Sequence, residues 1–191
     1  QGDIDSAIQC YTRSLHIAEE IDDRNAIGSS LNYIGRIYKE KGDYPTAIDY
    51  YTRCLNIFVE LDYIKGIANT MNNMGSIYKD MGNYELALSH CNQALTIAEE
   101  GGAVDVIREV AFTLYEVYKT LGDHKKALEM HELHVTMKDS IDNEENKKEV
   151  IRQEYKYNYD KQHLADSLIT AEDNRIRDIR HQQEVSDQRV Y

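Results

Sequence analysis

Two helical stripes of apolar side chains alternate along the chain. One runs through Ile27, Leu31, Ile34 and Tyr38, returns as Ile67, Met71, Met74 and Tyr78, and returns again as Ile107, Ala111, Leu114 and Tyr118. Steps of four, three and four residues place each set on one face of an α-helix. The other stripe carries Ala47, Ile48, Tyr51, Leu55 and Phe58 in one unit. Its equivalents include Ala7, Ala87 and Ala127, Ile8, Leu88 and Leu128, and Leu15, Leu95 and Val135. Gly2, Gly42, Gly82 and Gly122 punctuate the pattern every 40 residues, and Asp22, Asp62, Gly102 and Asp142 stand near the end of each unit. The pattern predicts a helix–turn–helix repeat. A single unit cannot bury its apolar face, so neighbouring units stack into an all-α solenoid.

The polar positions predict the turns. Each punctuating glycine ends a first helix, and Asp3, Asp43, Asn83 or Asp123 beside it caps the second. Pro45 falls at a helix start, where its missing N–H costs little. Gly35 and Gly75 lie inside first helices, where glycine costs about 1 kcal/mol relative to alanine. Close helix packing is the expected reason. Tyr115 takes this place in the last unit, so packing there is expected to differ. Cys10, Cys54 and Cys91 lack metal-ligand spacing and sit inside the apolar pattern, which predicts three buried thiols.

The segments Leu31-Asn32-Tyr33-Ile34-Gly35-Arg36-Ile37-Tyr38 and Gly42-Asp43-Tyr44-Pro45-Thr46-Ala47-Ile48 resemble the tetratricopeptide repeat, as do Met74-Gly75-Ser76-Ile77-Tyr78 and Gly82-Asn83-Tyr84-Glu85-Leu86-Ala87. The resemblance implies a right-handed superhelix over residues 1–142, made of a half repeat and three full repeats, followed by a long charged helix over residues 143–191. The period of 40 points to a longer-helix variety than the usual repeat of about 34 residues. The terminal proline of the standard repeat is absent. The chain opens on the turn between helices, so further repeats are expected upstream.

Composition changes beyond the repeats. From His124 onward there is neither glycine nor proline, and residues 138–191 carry 13 acidic and 10 basic side chains. Tyr155, Gln162, Ile169, Ile176, Gln183 and Val190 are spaced by seven, with Ile179 in the accompanying seam. About half of the seam is apolar. A dimerising coiled coil and a solvated charged helix are therefore both open readings. Val150, Ile151, Tyr155 and Tyr159 are candidates to cover the end of the last repeat. The net charge of −12 argues against a general nucleic-acid binder, and no apolar run reaches membrane-span length.

No catalytic motif, cofactor loop or metal-binding constellation stands out, so neither a cofactor nor a metal is expected. His131 and His134 share a helix, but His131 occupies the repeat position of Tyr11, Tyr51 and Cys91 on the packing face. The functional candidates lie opposite the apolar stripe of each first helix, the face that lines the concave groove in tetratricopeptide repeats. They are Asn32, Arg36, Lys39, Asn69, Asn72, Asn73, Ser76, Lys79, Glu116 and Lys119. Asparagine amides pair with a peptide backbone through donor and acceptor, and lysines meet carboxylates. A protein or peptide ligand is the expected partner. Solvated lysines and asparagines duplicated with the repeat are the competing reading.

The segment Met130-His131-Glu132-Leu133-His134-Val135-Thr136-Met137-Lys138-Asp139-Ser140-Ile141 resembles a stretch of certain bacterial repeat-containing signalling proteins, as do Tyr155-Lys156-Tyr157-Asn158-Tyr159-Asp160-Lys161 and Ala165-Asp166-Ser167. This resemblance implies a sensor and connector that leads to a membrane span and a cytoplasmic adenylate cyclase or histidine kinase, neither of which these residues contain. It places the repeats on the extracytoplasmic, periplasmic side. Three cysteines without partners sit better with a reducing, cytoplasmic compartment. A stand-alone adaptor without an output domain is the alternative.

Overall fold

The computed structural model describes residues 2–148, 152, 153, 156, 159, 161, 163 and 167. It divides into two compact units, Gln1–Ile141 and Asp142–Tyr191. The first contains α1 (Gly2–Glu20), α2 (Arg24–Glu40), α3 (Tyr44–Glu60), α4 (Ile64–Asp80), α5 (Tyr84–Glu100) and α6 (Val104–Leu121). Helical residues 124–141 complete it as α7, and residues 142–148 of the second unit are also helical. Among the described residues there is no strand.

Helix starts fall every 20 residues from Arg24 onward. The turns that set this spacing are alike. Asp43, Tyr63, Asn83 and Ala103 each donate a backbone N–H to the carbonyl five residues back, at 2.8–2.9 Å. The residue before each donor is left-handed: Gly42 (φ 77°), Asp62 (φ 51°), Gly82 (φ 76°) and Gly102 (φ 63°). This is the Schellman closure, which satisfies helix-end carbonyls. Asp43, Asn83 and Asp123 accept the N–H three residues on, as expected; Asp23 does the same at a turn the sequence pattern had not singled out, whereas Asp3 lies inside α1 and is not its cap.

Helices α2, α4 and α6 touch their successors in this series, whereas α1, α3 and α5 do not touch one another. The even helices are therefore the inner layer of the array and the odd helices the outer. The first-helix stripe faces between the layers. Ile27, Leu31, Ile34, Met71, Met74, Ile107, Ala111 and Leu114 are buried, while Tyr38, Tyr78 and Tyr118 are half-buried at the edge.

The helical glycines mark close approaches. A Cβ on Gly35 would stand 3.0 Å from the Tyr51 ring, and one on Gly75 would stand 2.4 Å from Cys91 Sγ. At the third such place Tyr115 replaces glycine. Its ring lies 5.1 Å from that of His131, which stands exposed instead of packed like Tyr51 or Cys91.

Two sequence expectations are corrected. Cys54 and Cys91 are buried, but Cys10 is exposed. Its helix, α1, packs only against α2, so the far side of α1 is uncovered among the described residues. Leu128 and Val135 keep the apolar pattern but are 58% and 40% exposed. Their counterparts Leu88 and Leu95 pack against the cluster that includes Val110 and Leu114 of the next inner helix. Tyr159, offered as a cover for the last repeat, lies in the second unit. Val150, Ile151 and Tyr155 lie outside the described residues. So do the other dimerisation candidates Gln162, Ile169, Ile176, Ile179, Gln183 and Val190.

Candidate functional site

The candidate residues lie on the side of the inner helices turned away from the outer layer, because the apolar stripe holds the opposite side in the core. Their polar groups link one inner helix to the next. Asn73 of α4 donates to Asn32 Oδ1 of α2 at 3.2 Å and to Asn69 Oδ1 at 3.5 Å. With one amide shared in this way, the Asn32 and Asn69 amide groups keep donors free and Asn73 keeps an acceptor.

One turn or two further along the helices runs a row of cations. Lys39 of α2 donates to Ser76 Oγ of α4 at 2.6 Å. Lys79 of α4 reaches Glu116 Oε2 of α6 at 2.5 Å, with Asp80 Oδ1 at 3.5 Å. Lys119 of α6 lies over the Tyr115 ring, 5.4 Å from its centroid. Arg36 lies 3.9 Å from Glu40 and stands over the Tyr33 ring. Burial pushes the Lys39 ammonium down from its ordinary pKa, and the nearby Lys79 charge adds to this while Asp80 opposes it. Burial also disfavours the Lys79 charge, but its hydrogen bond and attraction to Glu116 outweigh that and raise its pKa.

Asn72 is the exception. It is buried, and its Oδ1 accepts from Cys91 Sγ at 3.7 Å. The residue therefore braces α4 against α5 and is not presented on the inner face. Its neighbour Asn73 is presented. A shift of one position turns a helical side chain by about 100°, and only the packing shows which of the two adjacent asparagines points inward.

Beside the amide group is a cleft of about 160 Å³ that the sequence candidates missed apart from Asn32 and Asn69. Ser29, Tyr33, Phe58, Tyr63, Lys65 and Gly66 complete its wall. Phe58 and Tyr63 meet edge to face with centroids 5.1 Å apart. Gly66 is required here, since its Cβ would stand 2.4 Å from the Tyr63 ring. The signal was present in the repeat: Tyr63 stands where Asp23 caps a helix, and it makes no cap hydrogen bond. A second aromatic group, Phe112 with Tyr115 and His134, occupies the inner side of α6 and α7.

Stacked helical pairs that turn a continuous polar and aromatic row to one side define an α-solenoid interaction module. The chain matches the tetratricopeptide repeat family over residues 1–58 and 66–140 and belongs to that family. Such repeats bind protein or peptide partners, and their fold is generally non-catalytic. No curated protein matches the sequence. Among solved structures, BtubC (BKLC) from P. vanneervenii is similar with 24% identity and a TM-score of 0.63, covering 74% of this chain and 59% of its own. Aspartyl phosphate phosphatase F from Bacillus subtilis is similar with 16% identity and a TM-score of 0.59, covering 62% of this chain and 31% of its own. At these identities the likeness shows the fold. The chain spans about three-fifths of the first protein and under a third of the second.

Proposed function

We propose that this chain is the ligand-binding region of a bacterial signal-transduction protein and holds a peptide or protein segment against α2, α4 and α6. The carrying observation is the Asn32–Asn73–Asn69 amide group beside the aromatic cleft. It offers donors and an acceptor to a peptide backbone and a wall to a side chain. Lys39, Lys79, Arg36 and Lys119 supply charge along the same face. Selection from a random peptide display library tests this reading. The wild-type chain is expected to enrich a peptide family. The double variant Asn73→Ala and Lys79→Ala is expected to bind a synthetic member at least tenfold more weakly with unchanged helical circular dichroism. Equal affinity in wild type and variant sinks the assignment.

The signalling role rests on the resemblance of residues 125–170 to the charged connector of bacterial repeat-containing sensors. In this reading the repeats lie on the extracytoplasmic side. The segment over residues 143–191 dimerises or transmits the signal towards a membrane span and an adenylate cyclase or histidine kinase. Gene sequence beyond Tyr191 decides between this and an adaptor. A span of about 20 apolar residues followed by a catalytic domain supports it, and a stop codon supports the adaptor. Light scattering of the full chain and of residues 1–142 tests the dimer.

A further inference from the structure

Three lysines stand one repeat apart along the inner helices, and their amines differ in what they meet. Lys79 ends on the Glu116 carboxylate at 2.5 Å, with Asp80 at 3.5 Å. Lys119 lies over the Tyr115 ring. Lys39 ends on the neutral hydroxyl of Ser76 at 2.6 Å and makes no ion pair among the described residues. Lys65, Lys125 and Lys126 also lie with carboxylates, and Lys41 covers the Tyr38 ring. Lys39 is therefore set apart by having neither an anion nor a ring to hold its charge.

That setting weakens the hold of Lys39 on its proton. The side chain is half-buried where α2 meets α4, and desolvation disfavours an ammonium. Burial lowers its pKa, the Lys79 charge adds to this, and Asp80, Glu40 and Glu116 oppose it. Burial acts on Lys79 in the same sense, but Glu116 and Asp80 outweigh it and raise that pKa. A lysine that is desolvated, or set beside another cation, is an activated nucleophile, because only the neutral amine attacks. Ser76 meanwhile fixes the position of the nitrogen. Arg36 stands one helical turn before Lys39, and Lys79 acts on it from α4, so the same place attracts an anionic leaving group.

We propose that Lys39, held by Ser76 where α2 meets α4, is an acylation site for small acyl phosphates. The neutral Nζ attacks the acyl carbon, and a C–N bond forms. The C–O bond to phosphate breaks, and the phosphate leaves with its electron pair. The surplus proton on nitrogen passes to the phosphate. Amine and acyl phosphate thus give an amide and hydrogen phosphate, with no oxidant or further reactant. The amide keeps an N–H to donate to Ser76 but carries no charge, so the modification removes one cation from the inner helices. It needs no bound peptide and stands or falls apart from the peptide-binding reading.

Incubation of the full chain with acetyl phosphate, read by site-resolved mass spectrometry at early times, tests the proposal. Lys39 is expected to gain acetyl several-fold faster than Lys79 and Lys119, and its rate is expected to level off at a lower pH than theirs. This comparison within one folded chain needs no variant. Ser76→Glu gives Lys39 the kind of carboxylate that Glu116 gives Lys79. It is expected to slow Lys39 to the rate of Lys79, with helical circular dichroism unchanged. Arg36→Gln is expected to slow acetylation by acetyl phosphate several-fold and to leave the rate with p-nitrophenyl acetate, which has no phosphate, as it was. Equal rates at the three lysines overturn the proposal, as does a Lys39 rate that folded Ser76→Glu leaves unchanged. An Arg36→Gln effect that is the same with both donors, or absent with both, overturns acyl phosphates as the donor class.

Discussion

Single side chains in this repeat answer to partners one helix or one repeat away. The buried thiols illustrate this. Cys91 sits under Gly75 and donates to Asn72, and Cys54 lies 3.4 Å from Thr70 Oγ1. Burial pushes the Cys54 thiol up to about 11 and the Cys91 thiol up to about 12, from an ordinary value of 9.0. Burial raises the Tyr51 phenol in the same sense. The folded chain thus keeps these protons at pH values where the unfolded chain releases them. Stability contributed below pH 9 is lost as pH rises from 9 towards 11, by on the order of 1 kcal/mol per pH unit for each thiol. Urea unfolding at pH 8, 9 and 10 should show a falling midpoint. The fall should be shallower for the variant Cys54→Ala and Cys91→Ala. An unchanged slope in that variant would refute the assignment to the thiols.

At the scale of the element, 17-residue helices alternate with three-residue turns, and each turn needs one left-handed residue. Glycine fills that position at Gly42, Gly82, Gly102 and Gly122, but Asp22 and Asp62 adopt φ of 54° and 51° with a Cβ. A non-glycine residue there costs about 1–2 kcal/mol, of which glycine's looser unfolded chain returns roughly 0.5–1. Asp62→Gly is therefore expected to stabilise the chain by about 0.5–1 kcal/mol in chemical denaturation. A loss of stability would mean that the aspartate itself contributes to the turn. The stripes and the glycine-plus-cap punctuation were legible in the sequence because helix period and turn chemistry act within a few residues. The role of Tyr63 was not. It gives up a cap to pack on Phe58, and that contact belongs to the wall between helices.

Across the first unit, stability follows the number of neighbours each helix has. α4 touches α2, α3, α5 and α6, while α1 touches α2 alone. Repeat arrays behave as chains of units coupled to their neighbours, so interior helices open last. Native-state hydrogen exchange is expected to be slowest in α4 and fastest in α1 among α1–α6. Uniform protection across these helices would show that the unit opens in a single step.

The sequence by itself determined the all-helical repeat, the caps Asp43, Asn83 and Asp123, and the family to which the chain belongs. These depend on spacing that recurs in phase four times, and on interactions within one turn of helix. Tertiary structure alone decided which candidates on the inner face remain free. It buried Asn72 and presented Asn73, engaged Lys79 with Glu116, and left Lys39 on a hydroxyl. It also left Cys10, Leu128 and Val135 uncovered, although their stripes read the same as the interior ones. The physical reason is common to all of these. A residue's place on its helix is local, but its partner lies 19 to 41 residues away on another helix, and only the stacking of helices brings the two within reach.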